Sequence, residues 1–230
     1  MPEYKWSGGD LPGRQRRNVD DASSLTFCAY IKTTLSEQNI EKAHFIGNSL
    51  GAWIIQAFAA KYKDFILTLT LLDGGHYFLG EIQEHQDETL LHGVENWEDI
   101  KIAVHDFVTS IPNLQAYGYE QFEAYMQNNY VKLPDGYAHH FNEKHYNELS
   151  KELVTNNYCL KGSSFPILVL LAGGMNNSYS VEHAKMYAKV NQHVEIKIIE
   201  NGFHYLPLTN TKEVYELLRS FLSTKKEPSN

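Results

Sequence analysis

The sequence predicts an α/β fold in which a mostly parallel sheet is flanked by helices. The chain has 230 residues, and 43% of them are hydrophobic, which suffices for one core of this class. Short apolar runs alternate with helical patterns, as βαβ units require. One central stretch, residues 76–161, interrupts this alternation with a polar, helical pattern that is rich in aromatic residues and histidine.

Each element follows from its pattern. Apolar runs predict a short strand at residues 4–8 and four buried strands at 43–47, 65–72, 165–171 and 194–199. Apolar side chains at helical spacing predict helices at residues 23–38, 50–62, 180–190 and 211–222. No strand pattern is convincing between residues 76 and 161.

These elements divide the chain into a core and an insertion. We expect residues 1–75 and 162–224 to form the α/β core, and residues 76–161 to form a helical cap or lid. The last six residues, 225–230, are polar and contain a proline, so we expect a disordered tail there.

Charge and composition exclude several classes of partner. The formal net charge of −8 disfavours nucleic-acid binding, which needs a basic face. The chain has no run of about 18 apolar residues, so no membrane span is expected, and residues 1–10 lack the pattern of a signal peptide. Two cysteines cannot form a disulfide framework, which favours a reducing, cytoplasmic location.

The clearest chemical motif is Gly47-Asn48-Ser49-Leu50-Gly51, a G-x-S-x-G sequence. It follows a predicted strand and opens a predicted helix, which is the setting of a nucleophile elbow. There we expect the Ser49 hydroxyl to be lifted above the sheet edge, and the Leu50 N–H to point to where an oxyanion forms. The two flanking glycines would keep the tight turn free of clashes. A plain β–α turn built from small residues is the alternative.

A serine hydroxyl needs a base to act as a nucleophile, and His204 is the candidate. It follows the last predicted strand, on the side where the loops of a parallel sheet converge. The alternative is a partly buried structural histidine.

Four segments together resemble the α/β-hydrolase superfamily, above all its capped, esterase- and lipase-like members: Asp10-Leu11-Pro12-Gly13, residues 40–51, the strand before Asp73, and Gly202-Phe203-His204. The resemblance implies a serine, acid and histidine triad in that chain order. It also implies a small-molecule substrate, a small carboxylic ester or related acyl compound, and no cofactor.

The identity of the acid stays open in the sequence. The family usually places it after the strand that follows the cap, where this chain has Asn176 or Asn177, and no aspartate occurs after Asp135. Some relatives carry the acid one strand earlier, which is the position of Asp73. Asp73 is therefore either the triad acid or a structural residue of its turn. Glu182 is a weaker candidate, because we expect it in a solvated first helical turn.

The N-terminus is shorter than the resemblance requires. Family members have several strands before the Asp-Leu-Pro-Gly turn, and a loop after one of them supplies a second oxyanion N–H. Here that turn already begins at Asp10, so we expect an N-terminally truncated α/β-hydrolase fold with strand 43–47 as an exposed edge or paired differently. One lost donor lowers the rate by ~10²–10³. The alternative to a hydrolase is therefore a non-catalytic ligand-binding pseudo-hydrolase or an inactive truncated member.

Histidines in the inserted stretch do not predict a metal site. His140 and His145 are five residues apart rather than the four of a helical metal-binding pair, and no H-E-x-x-H motif occurs. We expect neither a metal nor a cofactor.

Overall fold

The computed structural model describes residues 4–8, 21–82, 94–111, 119–141, 143–175 and 178–225. The helices in these ranges are α1 (Ser24–Glu37), α2 (Leu50–Lys61), α3 (Trp97–Ser110), α4 (Tyr119–Gln127), α5 (Glu143–Thr155), α6 (Ser178–Val190), α7 (Leu206–Thr209) and α8 (Thr211–Ser223). The strands are β1 (Ala43–Asn48), β2 (Ile66–Leu72), β3 (Tyr130–Leu133), β4 (Gly136–His139), β5 (Ile167–Ala172) and β6 (Val194–Ile199). Short 3₁₀ turns occur at Lys63–Phe65, Leu79–Glu81 and Gly173–Met175.

The main sheet has four parallel strands in the order β1-β2-β5-β6. Its register aligns the ends of the central strands, with Asn48 opposite Leu72 and Leu72 opposite Leu170. Because parallel strands end at the same edge, the loops that follow β1, β2, β5 and β6 meet there. The predicted fold class, a mostly parallel sheet flanked by helices, is confirmed.

Apolar side chains cover both faces of the sheet, as a parallel sheet requires. On one face, helices α1, α2 and α6 pack on the strands through residues such as Cys28, Phe58 and Tyr187. On the other face, α8 packs through Val214, Leu218, Phe221 and Leu222. Strand β5 lies in the middle and is buried along its whole length. This sandwich holds the ends of β1, β2 and β5 in fixed positions.

The stretch between β2 and β5 contains α3, α4 and α5, but it also contains two strands. The expectation of no strand between residues 76 and 161 is therefore wrong. Strands β3 and β4 form an antiparallel hairpin, and Glu95 forms a bridge with Tyr137. The rings of Trp97 and Tyr137 lie 4.8 Å apart, so packing from outside the hairpin stabilises it. The assignment of the whole stretch to a cap remains a prediction.

The predicted strand at residues 4–8 is also wrong, since these residues have no strand pairing. The Tyr4 ring instead contacts His44 edge-on, with 5.7 Å between ring centroids. Among the strands that the structure describes, β1 is an edge of the sheet. The Asp-Leu-Pro-Gly turn at residues 10–13 and most of the predicted tail, residues 226–230, lie outside the described residues. No helix in the described ranges has the length and apolar character to cross a membrane.

Candidate active site

Ser49 occupies a strained turn between β1 and α2. Its backbone angles, φ 51° and ψ −122°, lie in a region that residues with a side chain rarely adopt. The turn is held from both sides, because the Ser49 N–H donates to the Leu72 carbonyl at 3.0 Å and its carbonyl accepts from the Ala52 N–H at 2.8 Å. Such strain persists only where the surroundings fix it, and it is typical of a nucleophile elbow.

The two glycines of the motif have different roles. A Cβ on Gly47 would lie 2.5 Å from the backbone carbon and oxygen of Gly51, so only glycine fits there. A Cβ on Gly51 would meet nothing within 4 Å. The expectation that both glycines relieve clashes is therefore wrong for Gly51, because its Cβ position faces open space.

The Ser49 hydroxyl lies within hydrogen-bond distance of the His204 ring, with 2.7 Å between Oγ and Nε2. His204 reaches it from the loop between β6 and α7. This is the distance required for the imidazole to take the hydroxyl proton.

The other ring nitrogen of His204, Nδ1, lies 2.7 Å from Asp73 Oδ2. The second carboxylate oxygen of Asp73 accepts from the Ala172 N–H at 3.0 Å. Asp73 has a φ of 46° directly after β2, which turns its side chain towards these partners. Its side chain is only 4% exposed, whereas that of His204 is 33% exposed. The structure thus brings Ser49, His204 and Asp73 into one continuous chain of contacts.

Asn48, which the sequence reasoning did not select, anchors the loop that carries the histidine. Its side-chain amide donates to the Leu72 carbonyl at 2.9 Å and to the His204 carbonyl at 3.0 Å. One residue therefore ties the ends of two strands to the histidine loop. The only signal in the sequence is its place inside the G-x-S-x-G motif, where a variable residue is allowed.

The turn after Asp73 is supported by a buried histidine, His76, which the sequence analysis also missed. His76 is 2% exposed; its Nδ1 lies 3.2 Å from the Gly74 carbonyl and its Nε2 lies 3.0 Å from Ser180 Oγ. Burial lowers the pKa of His76, and the bond to Gly74 opposes that shift only partly. A neutral ring that donates from Nδ1 to the Gly74 carbonyl and accepts at Nε2 from the Ser180 hydroxyl satisfies these two contacts, whereas the Ser180 carbonyl, 3.2 Å from Nε2, would accept only from a ring protonated at that nitrogen.

The sequence left two other positions open for the acid, Asn176 and Glu182. Asn176 lies outside the described residues. Glu182 is exposed on α6, whereas the contact to His204 Nδ1 comes from Asp73.

The predicted oxyanion donor, the Leu50 N–H, belongs to the first residue of α2. Amides in the first turn of a helix have no partner within the helix and lie at its positive end. Since Leu50 directly follows Ser49, its amide is available to an anionic oxygen next to the hydroxyl.

A cleft of about 270 Å³ opens onto Ser49 and His204. Its walls come from α2, the 3₁₀ turn Leu79–Glu81 and α5, through Leu50, Trp53, Leu79, Tyr146, Leu149, Ser150 and Leu153. The volume is just below that of sites for drug-sized ligands, which start at roughly 300 Å³. A small substrate therefore fits this cleft.

The two cysteines and the possible metal ligands are alternative candidates for functional groups. Cys28 and Cys159 are unpaired, and burial raises the pKa of their thiols to about 11 and about 12, so neither is a thiolate at neutral pH. Within the described ranges, no group of three or more histidine, cysteine or acidic side chains could hold a metal ion.

Comparison with known proteins identifies the family of the chain. A family model described as alpha/beta hydrolase fold matches residues 6–211. The chain therefore belongs to the alpha/beta hydrolase fold family. Among curated proteins, no sequence matches the chain significantly.

Solved structures of several hydrolases share the fold. E-2-(acetamidomethylene)succinate hydrolase has a TM-score of 0.76 at 12% identity, with 93% of this chain and 80% of that chain covered. Est816, an N-acyl homoserine lactone degrading enzyme, has a TM-score of 0.64 at 18% identity, with 92% and 80% covered. An alpha/beta hydrolase from Novosphingobium aromaticivorans has a TM-score of 0.65 at 17% identity, with 93% and 78% covered. At these identities the likeness establishes the fold and not the substrate.

Proposed function

We propose that this protein is a serine hydrolase that cleaves a small carboxylic ester or a related acyl compound. The observation that carries the proposal is the chain of two 2.7 Å contacts from Ser49 through His204 to Asp73. Each group matches one task of acyl transfer: a nucleophile, a base, and a carboxylate that orients the base.

In the first half of the reaction, Ser49 Oγ attacks the carbonyl carbon of the ester while its proton passes to His204 Nε2. The carbonyl oxygen becomes an oxyanion, which the Leu50 N–H stabilises. The buried carboxylate of Asp73 holds the Nδ1 proton of His204 and stabilises the imidazolium. The intermediate then collapses: the carbon–oxygen bond to the alcohol breaks, and His204 gives its proton to the departing alcohol.

In the second half, water replaces the alcohol. His204 takes a proton from the water as it attacks the acyl-serine carbonyl, and the second intermediate collapses by breaking the bond to Ser49 Oγ. Ser49 regains its proton from His204, and the carboxylic acid leaves. The net reaction is ester plus water to acid plus alcohol, and the catalytic groups return to their starting state.

The remaining features of the proposal concern size, access and location. The 270 Å³ cleft favours a small-molecule substrate, and the position of α5 over Ser49 supports the interpretation of residues 76–161 as a cap. Two free cysteines and the acidic net charge favour a cytoplasmic protein that does not bind nucleic acid. Est816, named for degrading a lactone, is an example of ester-type chemistry on the same fold.

The test is covalent labelling with a fluorophosphonate probe, measured by intact mass. Such probes react with an activated serine whatever its natural substrate, so the experiment tests the nucleophile directly. We expect rapid, stoichiometric labelling of the wild type and none of Ser49→Ala. A folded wild type that stays unlabelled would contradict the hydrolase and favour a ligand-binding protein without turnover.

A further inference from the structure

Helix α5 presents two different faces. Tyr146, Leu149, Ser150 and Leu153 follow a spacing of three, four and seven residues, so they form one stripe along the helix, and all four line the cleft at Ser49. The opposite stripe, with Glu148, Lys151 and Glu152, borders a separate, open groove. Glu148, Lys151 and Glu152 thus turn away from the serine, whereas Tyr146, Leu149, Ser150 and Leu153 turn towards it.

The stripe of α5 that faces the cleft is firmly packed. Leu149 is fully buried, Leu153 is 3% exposed, and both belong to one apolar cluster with Trp53 of α2. Trp53 lies one helical turn after Leu50, whose amide is the proposed oxyanion donor. The apolar wall therefore begins next to the position of the carbonyl oxygen.

The position of His204 distinguishes the two ends of a bound ester. His204 must hand a proton to the departing alcohol, so the alcohol lies on the histidine side of the carbonyl. The ring is one-third exposed, so that side opens to solvent. The acyl group then extends the other way, along Leu50, Trp53 and the inner stripe of α5.

The lack of charged side chains among the described residues around the cleft determines which acyl groups it can bind. Apart from His204 and its contact to Asp73, none of the side chains that line the cleft in the described part of the chain carries a charge. An ionised carboxylate that leaves water for this surface loses its hydration, and the described side chains of the cleft offer it neither a lysine nor an arginine in return. The two hydroxyls, on Tyr146 and Ser150, are too few to replace the hydration shell of a carboxylate.

We propose that the inner stripe of α5 and Trp53 form an acyl-binding wall that selects uncharged, apolar acyl groups and rejects acyl groups with a second carboxylate. This inference rests on the proposed function and names its substrate class.

The test uses two 4-nitrophenyl esters of nearly identical shape. The hydrogen adipate ends in a carboxylate, and the 6-methylheptanoate has an isopropyl group in the same place. We expect kcat/KM for the 6-methylheptanoate to exceed that for the adipate by ~10² or more, because the carboxylate finds no partner. Equal rates, or a preference for the adipate, would overturn the proposal.

A charge placed on the wall should change this ratio in a predictable direction. Ser150→Lys supplies a cation facing the cleft and should raise adipate relative to 6-methylheptanoate about tenfold, while Ser150→Asp should lower it. Thr155→Lys adds the same charge to the same helix outside the cleft, and the ratio should stay at the wild-type value. If Ser150→Lys and Thr155→Lys give the same ratio, α5 does not bind the acyl group.

The same measurements separate this inference from the proposed function. Fluorophosphonate labelling of Ser49 reports the catalytic serine without any acyl selectivity. A labelled enzyme that hydrolyses both esters equally well would overturn only the acyl-binding wall, whereas absence of labelling would overturn the hydrolase itself. As a control, two acetate esters carry the carboxylate or the isopropyl group on the alcohol instead of on the acyl group. Their kcat/KM values should differ far less than those of the two 4-nitrophenyl esters. A larger difference between the two acetate esters would show that the cleft binds the alcohol part of the substrate rather than the acyl group.

Discussion

The carboxylate of Asp73 has each oxygen committed to one partner: Oδ2 faces His204 Nδ1, and Oδ1 accepts from the Ala172 N–H. The backbone bond from the Asp73 N–H to the Leu170 carbonyl, at 2.8 Å, fixes the residue between β2 and β5. The side chain of Asp73 therefore points towards His204 because the residue ends β2, has a positive φ and is bonded to the neighbouring strand β5. This arrangement lets the acid come from the strand before the insertion.

Replacing Asp73 by asparagine should test that assignment. The new amide could still accept from the Ala172 N–H through its oxygen, but it would face His204 without charge and could favour the wrong tautomer. We expect kcat to fall by ~10³–10⁴, as the equivalent change does in serine proteases, with the circular dichroism spectrum preserved. Steady-state kinetics on 4-nitrophenyl butyrate would measure it. A loss of less than tenfold would mean that Asp73 is a structural residue of its turn.

The G-x-S-x-G motif indicated Ser49, the position after the last predicted strand indicated His204, and the resemblance to relatives with an earlier acid indicated Asp73. All three positions directly follow or lie close behind a strand of a parallel sheet, where loops converge. Sequence reasoning did not select Asn48 or His76. Asn48 binds the backbone carbonyls of Leu72 and His204, and His76 contacts the Gly74 carbonyl and Ser180 on a distant helix, so no local side-chain pattern encodes these partners. Catalytic residues near strand ends can thus be predicted from the sequence. The residues that support them through hydrogen bonds cannot, because their partners come together only in the folded chain.

The elbow offers a matched pair of glycine substitutions. Gly47→Ala places a Cβ 2.5 Å from the Gly51 backbone and should lower the free energy of unfolding by about 1–3 kcal/mol. Gly51→Ala meets open space inside α2 and should be neutral, or stabilising by up to about 1 kcal/mol, because alanine favours helix. Urea unfolding of both variants would measure this difference. Equal destabilisation would contradict the geometry of the turn.

At the scale of elements, Glu152 forms a polar link between α5 and the core. Its carboxylate accepts from the Ser24 N–H and from Ser24 Oγ, each at 2.6 Å, and from the Tyr158 hydroxyl. Ser24 is the first residue of α1, so the negative charge lies at the positive end of that helix. One acidic side chain therefore fixes the helix whose other face lines the cleft.

Glu152→Gln should weaken this link while keeping the size of the side chain. We expect the free energy of unfolding to drop by about 1–2 kcal/mol, since a charged acceptor of several hydrogen bonds is lost. We also expect KM for apolar esters to rise severalfold with kcat nearly kept, because α5 is held less firmly over Ser49. Chemical unfolding and ester kinetics would measure the two effects.

Glu148→Gln is the control for that variant. It changes the same residue type one turn earlier on α5, where the side chain is 45% exposed and lies 3.7 Å from Lys144. Such a surface pair contributes little, so stability should change by less than about 0.5 kcal/mol and KM should stay constant. Identical behaviour of the two variants would show that Glu152 has no special role.

The elements themselves were predictable to different degrees. Strands β1, β2, β5 and β6 match their apolar runs within two residues, because a buried parallel strand is a continuous apolar segment. The β3–β4 hairpin escaped notice, although Pro134-Asp135-Gly136 is a turn signal between its strands. Its four-residue strands are too short for a pattern, and they depend on contacts with Glu95 and Trp97 from a distant segment.

At the scale of the whole molecule, the inserted stretch and the catalytic loops share their packing. A third apolar cluster around Ile100, Val104 and Phe122 also contacts Phe203 and Tyr205, the neighbours of His204. The stretch therefore contacts the site through this cluster, and it lines the cleft through Leu79 and α5. The sequence indicated an insertion, but the contacts of the cluster and of α5 join residues more than 40 positions apart, so the sequence alone did not predict them.

Two partly or fully buried histidines give the whole molecule a pH-dependent stability. Burial lowers the pKa of both His76 and His44 from the ordinary value of 6.5. For His76, the nearby Asp73 charge and the Gly74 and Ser180 carbonyls oppose that shift, and His183 adds to it. Between the folded and the ordinary pKa, the unfolded chain binds more protons than the folded one, so the free energy of unfolding rises with pH.

It follows that the wild type should keep its full histidine contribution above about pH 6.5 and lose stability as the pH falls below that value towards the lower, folded-state pKa. His76→Gln cannot be protonated at this position, so its midpoint of thermal unfolding should fall less steeply between pH 7.5 and 5.

The His76→Gln variant should be less stable than the wild type at pH 8, where it lacks the bonds to Gly74 and Ser180. The plots of unfolding midpoint against pH for the two proteins should approach each other in acid. His76→Asn should repeat the pattern, and His44→Gln added to either should flatten the slope further. Parallel curves for wild type and His76→Gln would show that protonation of this buried ring does not couple to unfolding.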